Sequence, residues 1–135
     1  MKNKTANVIA WILQILLALM FIMTGAMKLF LPLDQLADSL PWVADSAPAF
    51  VRFIGVAELL GGFGLVLPGL FRLKPFLTVL AAAGIILIMI FASIFHITRG
   101  ETSAIGMNFI IAVLAAVVIW LRLKKTSPST ESRIK

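Results

Sequence analysis

The sequence predicts an all-α integral membrane protein, a four-helix bundle with both termini cytoplasmic. Three observations carry that prediction. Of the 135 residues, 61% are hydrophobic and only 13% are charged. The apolar residues collect in four runs, at about 8–30, 50–67, 76–95 and 105–121, each near the ~17–25 residues that a helix needs to cross the hydrocarbon core. Finally, Lys2 and Lys4, then Arg72 and Lys74, then Arg122, Lys124 and Lys125 all fall on one side if the chain crosses four times. Excess Lys and Arg in short connections marks the cytoplasmic face. The expected organisation is one four-span domain over residues 1–125 in the cell inner (plasma) membrane, followed by a disordered polar tail at 126–135.

The first span begins after a short polar start and carries Trp11 near one end and Lys28 near the other. Its apolar run is too long for the hydrophobic part of a signal peptide, so it reads as a retained anchor. Gln14, Ala18, Phe21, Gly25 and Lys28 share one stripe at helical spacing, and such a polar and small stripe packs on neighbouring helices. The connection 31–49 is the most acidic stretch, with Asp34, Asp38 and Asp45, and is divided by Pro32, Pro41 and Pro48. Leu33, Leu36 and Leu40 fit a short amphipathic helix lying in the interface, with Trp42 as a headgroup-level anchor; an irregular surface loop fits the same residues.

The second span, FVRFIGVAELLGGFGLVLP, ends at Pro68-Gly69. It holds Glu58 near its middle and Arg52 near its start. A carboxylate at that depth costs ~2.5–3.5 kcal/mol on insertion scales, so it is expected to face the bundle interior and to have a partner. Gly55, Glu58 and Gly62 lie on one stripe, which aims the acid at a closely approaching helix. The third span is nearly featureless until Ala92, Ser93 and His96 at its far end. The fourth carries Asn108, Ala112 and Ala115 on one face and exits at Trp120.

Composition excludes several chemistries. There is no cysteine, so thiolate catalysis, disulfide exchange, iron–sulfur ligation and Cys-based zinc sites are absent from this chain. A single histidine cannot supply a bis-histidine haem site from one copy. The net charge of +6 sits mostly beside apolar runs, where it reports topology and contact with anionic headgroups rather than nucleic acid.

Four crossings bring Lys28, Arg52, Glu58, His96 and Asn108 toward one level on the outer side, with Arg99 and Glu101 in the loop above. Side chains lean toward the N-terminus of their own helix, so Glu58 leans outward and Lys28 inward, and the two can meet. One reading is structural: a Lys28–Glu58 or Arg52–Glu58 ion pair, completed by Asn108 and His96, fixes helix packing. Another is an outward-opening pocket for the head of an amphipathic molecule such as a quinone. His96 or Asn108 would then hydrogen-bond a carbonyl, and Glu58 would exchange a proton when a quinol forms. A metal site at His96, Glu58 and Glu101 lacks any recognised ligand spacing, and no metal is expected. A proton path is poorly supported, because apart from Gln14 the inner halves of the spans carry no chain of ionisable groups.

TGAMKLF at 24–30, GVAELLGGFGLVLP at 55–68, the His96 end of the third span and an Asn-bearing fourth span closing on Arg122 together resemble the DoxX and DoxX-like family of small four-span membrane proteins, over roughly residues 8–122. The Gly-x-x-Glu-Leu-x-Gly-x-x-Gly-Leu core around Glu58 is the most specific piece. The resemblance implies a four-helix membrane bundle. Founding members are associated with a thiosulfate:quinone oxidoreductase, and other relatives with membrane-bound thiol or oxidative-stress systems. Family site residues map to Lys28, Glu58, His96 and Asn108. The expectation is a membrane subunit or anchor of an oxidoreductase system, not catalytic alone, that holds no cofactor of its own and takes a quinone-like lipid. Its partners would be the bilayer, a redox subunit supplying any thiol chemistry, or a second copy. The alternative is a non-enzymatic scaffold or assembly factor whose polar cluster is structural; a small transporter ranks third.

Overall fold

A computed structural model describes residues 4–124. Helix α1 (Lys2–Phe30) is followed by a short α2 (Leu33–Ser39), a 3-10 helix (Pro41–Asp45), α3 (Pro48–Leu70), α4 (Phe76–Thr98) and α5 (Ser103–Ile134). The expected tail at 126–135 lies outside the described residues. Four helices, α1, α3, α4 and α5, are long and apolar enough to cross a membrane, and no strand occurs among the described residues.

Spacing of three and four residues decides which face of each helix turns inward. In α1 the buried set is Ala10, Gln14, Leu17, Ala18, Phe21, Gly25 and Lys28; in α3 it is Val51, Gly55, Glu58, Gly61, Gly62, Leu65 and Pro68. The opposite faces leave Leu19, Leu60 and Phe109 more than 60% exposed, which a hydrocarbon surround tolerates and water does not. Packing runs α1 on α3, α3 on α4, α4 on α5 and α5 back on α1. The result is a closed ring around Leu17, Phe21, Leu65, Ile85, Ala115 and Val118.

The tightest approach is between α1 and α3, at two glycines. A Cβ added to Gly25 would lie 2.8 Å from the Gly55 carbonyl oxygen, and one added to Gly55 would lie 2.9 Å from that of Gly25. Only the missing side chains allow the backbones to touch. With Gly25 facing Gly55 in an antiparallel pair, Arg52 comes level with the backbone of Lys28, and Glu58 sits deeper. That register governs the site described below.

Two local expectations need correction. Pro68 does not end the second span; it lies inside α3, which continues to Leu70. Pro68 lacks the N–H that would reach the Gly64 carbonyl, a loss of one bond in the last turns, and the terminus is closed beyond it. Leu73 N–H donates to the Pro68 carbonyl at 2.8 Å and Arg72 N–H to that of Gly69 at 3.4 Å. Arg72 adopts φ 53°, so it occupies the left-handed position of a Schellman cap that glycine usually takes. The second correction concerns Trp42. Leu33–Ser39 does form a short helix, with Leu40 at its C-cap and the 3-10 turn Pro41–Asp45 beyond, but Trp42 is buried rather than placed as a headgroup anchor, together with Leu36, Val43 and Val51. It meets Phe95 edge to face at 5.7 Å between ring centroids, so the segment folds over the bundle end as a cover. Arg99 Nη1 reaches Asp45 Oδ2 at 3.1 Å and pairs with Glu101, and these two carboxylates raise the Arg99 pKa further above its ordinary value.

Candidate functional site

Glu58 is 6% exposed and Lys28 7%, each at a position where the helical stripe leaves no route to lipid. Lys28 Nζ donates to both carboxylate oxygens of Glu58, at 2.9 and 3.1 Å. Thr24 Oγ1, one turn before Lys28 on the same face of α1, donates to Oε2 at 2.7 Å. The acid thus receives three hydrogen bonds from a single helix, which offsets the cost of burying it.

Arg52 does not share in this pair. Its Nη1 donates to the carbonyls of Lys28 at 2.8 Å and Leu31 at 3.0 Å, satisfying backbone acceptors that the end of α1 leaves without intrahelical partners. The Gly25–Gly55 register explains the division. Arg52 stands opposite the carbonyl of Lys28, while the Lys28 side chain leans back toward its own N-terminus and down to Glu58.

Asn108 Nδ2 donates to Ser93 Oγ at 3.3 Å, joining α5 to α4. His96 Nδ1 is buried without a hydrogen-bond partner. It lies 3.7 Å from Glu101 Oε1, within ion-pair range for a protonated ring but too long for a hydrogen bond.

Lys28, Glu58, His96 and Asn108, contributed by α1, α3, α4 and α5, line one cavity of about 360 Å³, and Arg52 is outside its lining. Its other walls are apolar and largely aromatic, including Phe50, Phe53, Phe91 and Phe95, with Leu40 and Trp42 supplied by the cover. A few convergent polar groups in an aromatic cavity at the lower end of the ~300–1,000 Å³ range have the general character of a small-molecule site. Among the described residues no cluster of three or more metal-ligating side chains occurs.

Sequence reasoning missed Thr24 as a ligand of Glu58, and it missed the pairing of Ser93 with Asn108. Thr24 had a usable signal, since it stands four residues before Lys28 and so on the same helical face. The role of Trp42 as a wall had none, because it depends on how segment 33–45 folds back.

The family model described as the DoxX-like family matches residues 12–118, a stretch that contains every residue of this site. The chain belongs to the DoxX-like family. No curated protein and no solved structure matches it. In this DoxX-like chain each spanning helix contributes one polar side chain to the cavity.

Proposed function

We propose that this DoxX-like protein is an inner-membrane subunit or anchor of an oxidoreductase system, and that its cavity receives the polar ring of a quinone-like lipid. The observation that carries the reading is the joining of four polar side chains, one from each spanning helix, to aromatic walls in one cavity. A quinone head is a flat, apolar ring with carbonyl oxygens at its edge. Aromatic walls suit the ring, and the Lys28 ammonium, the Asn108 amide and the His96 imidazole are donors for the carbonyls. Reduction to the quinol adds two protons and two electrons. Glu58, hydrogen-bonded to Lys28, relays the two protons in turn from the outer aqueous side, and the electrons come from a redox partner subunit, since the chain has no cysteine and a single histidine cannot supply a bis-histidine haem site from one copy. The basic residues flanking the spans orient both termini to the cytoplasm, which opens the cavity on the outer leaflet.

The test is binding of a short-chain ubiquinone analogue to the protein in detergent or nanodiscs. The reading expects Glu58→Gln and His96→Ala to weaken binding while the bundle stays folded. One observation favours the alternative of a non-enzymatic scaffold: Glu58 already accepts three intramolecular hydrogen bonds and so needs no ligand. If both variants melt earlier and neither alters retention of the analogue, the cluster is structural and the scaffold reading holds.

A further inference from the structure

The opposite end of the bundle holds a third buried charged residue, Arg122 on α5, which is 8% exposed. Its partners among the described residues are all neutral. Nε donates to Gln14 Oε1 at 2.6 Å, Nη1 donates to Asn7 Oδ1 at 2.7 Å, and the guanidinium lies 5.5 Å from the Trp11 ring centroid. Gln14, 1% exposed, is itself fixed by donating Nε2 to the Leu65 carbonyl at 2.5 Å. Side chains from α1 and a carbonyl of α3 therefore hold the guanidinium in one orientation without neutralising it.

No carboxylate compensates it among the described residues. Their ion pairs, Lys28–Glu58, His96–Glu101, Arg99–Asp45 and Arg99–Glu101, all lie at the other end. Of the chain's six acidic residues, five are Asp34, Asp38, Asp45, Glu58 and Glu101; the sixth, Glu131, lies outside the described residues. A buried cation with only dipolar partners bears a large desolvation cost that a counter-ion relieves. Arg122 also has room for one. It lines a cavity of about 530 Å³ together with Asn7, Trp11, Gln14, Thr78 and Arg72. Arg72 is exposed, and the left-handed backbone of the α3 cap, φ 53°, carries it to this mouth. α4 begins here, at Phe76, and the positive end of its dipole adds to the field.

We infer that this cavity binds a phosphate group, with Arg122 as the buried anchor and Arg72 as the gate charge. An arginine carries five N–H donors in a planar fork. Two are committed to Gln14 and Asn7, and the remaining three match the oxygens of a phosphate mono- or diester. Two sources present that chemistry at this position: the headgroup of an anionic lipid entering from the leaflet, and a free phosphate or phosphate ester entering from the aqueous side.

The test uses the full-length protein purified in a mild zwitterionic detergent. Native mass spectrometry compares retention of phosphatidylglycerol with that of phosphatidylcholine, and thermal unfolding is followed with and without millimolar inorganic phosphate. Preference for phosphatidylglycerol by about tenfold, without a response to phosphate, supports the site and names the lipid as source; one charge-assisted contact accounts for that factor. A rise in melting temperature with phosphate and no lipid preference supports the site and names the soluble source. Equal retention of both lipids with no phosphate response overturns the proposal. Arg122→Gln is expected to abolish whichever response is seen, and Arg122→Lys to keep only part of it. Should Arg122→Gln not fold, Arg72→Gln decides: at wild-type melting temperature it loses part of the response, and an unchanged response overturns the proposal. If phosphate binding appears only in Glu131→Gln, the tail carboxylate is the occupant and the proposal fails.

Discussion

Lys28 Nζ and Glu58 Oε1 stand 2.9 Å apart, each side chain 8% exposed, on helices whose backbones touch one turn away at Gly25 and Gly55. Removing one partner of such a pair costs more than removing both, because the survivor is left charged and desolvated. Glu58→Ala is therefore expected to destabilise the bundle by about 3 kcal/mol or more. Glu58→Gln keeps one acceptor for Lys28 or Thr24 but leaves the buried ammonium without a counter-charge, and is expected to cost about 2–3 kcal/mol. The double change Lys28→Met with Glu58→Leu recovers most of the loss. Reversible unfolding in detergent measures all three, and a double variant as unstable as Glu58→Ala would refute the pairing argument.

The glycine contact makes a separate, steric prediction. A methyl group at Gly55 would meet Gly25 O at 2.9 Å and Lys28 Cβ at 3.0 Å, neither able to move without parting the helices. Gly55→Ala is expected to cost about 1–3 kcal/mol by overpacking. Gly84, within α4, has nothing within 4 Å of an added Cβ. There Gly84→Ala should be neutral or stabilise by about 0.5–1 kcal/mol through helix propensity. The melting temperature should fall for Gly55→Ala and not for Gly84→Ala; a Gly55→Ala variant as stable as the parent would mean that the α1–α3 register is wrong.

Arg52 tests whether a residue expected at the site belongs to it. Its two bonds go to the carbonyls of Lys28 and Leu31, so Arg52→Gln should loosen the end of α1 and the start of α2 by about 1–2 kcal/mol. Affinity for a quinone analogue should stay within about threefold, under 1 kcal/mol. Arg52→Lys should restore only part of the stability, since one ammonium does not reproduce the planar fork. Hydrogen exchange at residues 28–36 reads the first effect and ligand titration the second.

The helices and the inward stripe of α1 were legible in the sequence, because a spacing of three and four residues is a local property. That Lys28 can meet Glu58 was legible too, and follows from the lean of helical side chains once four crossings are accepted. The sequence leaves open which of Lys28 and Arg52 pairs with Glu58, for a reason local spacing does not contain. Whether Arg52 meets Glu58 or the Lys28 carbonyl depends on the axial register of α1 against α3, and the Gly25–Gly55 contact fixes that. The sequence shows Arg122 as a basic residue beside the fourth span but does not report its burial. Its contacts with Gln14 and Asn7 join residues more than a hundred positions apart, and no periodicity reports such a pairing. The end of α3 was legible only to within a turn, since its cap puts Arg72 where a glycine would have announced it.

The cover over the cavity provides the last prediction. Residues 33–45 touch the bundle through a small cluster, Leu36, Trp42 and Val43 against Val51, with Phe95 packed beside it. This cluster is separate from the main core around Leu65 and Ile85. Elements held by few apolar contacts open independently of the whole. Trp42→Ala removes the largest of these contacts, at a local cost of about 3–5 kcal/mol, more than the Arg99–Asp45 pair, 3.1 Å long with Asp45 65% exposed, can offset at the ~0–1 kcal/mol of an exposed ion pair. Backbone amides of residues 33–45 should therefore exchange much faster in Trp42→Ala, while those of α1, α3, α4 and α5 keep their protection. Asp45→Asn, by contrast, should change exchange in the cover by no more than about fivefold, corresponding to ~1 kcal/mol. If the spanning helices lose protection in step with residues 33–45, the cover is part of the bundle's cooperative core and does not open separately over the cavity that holds Lys28, Glu58, His96 and Asn108.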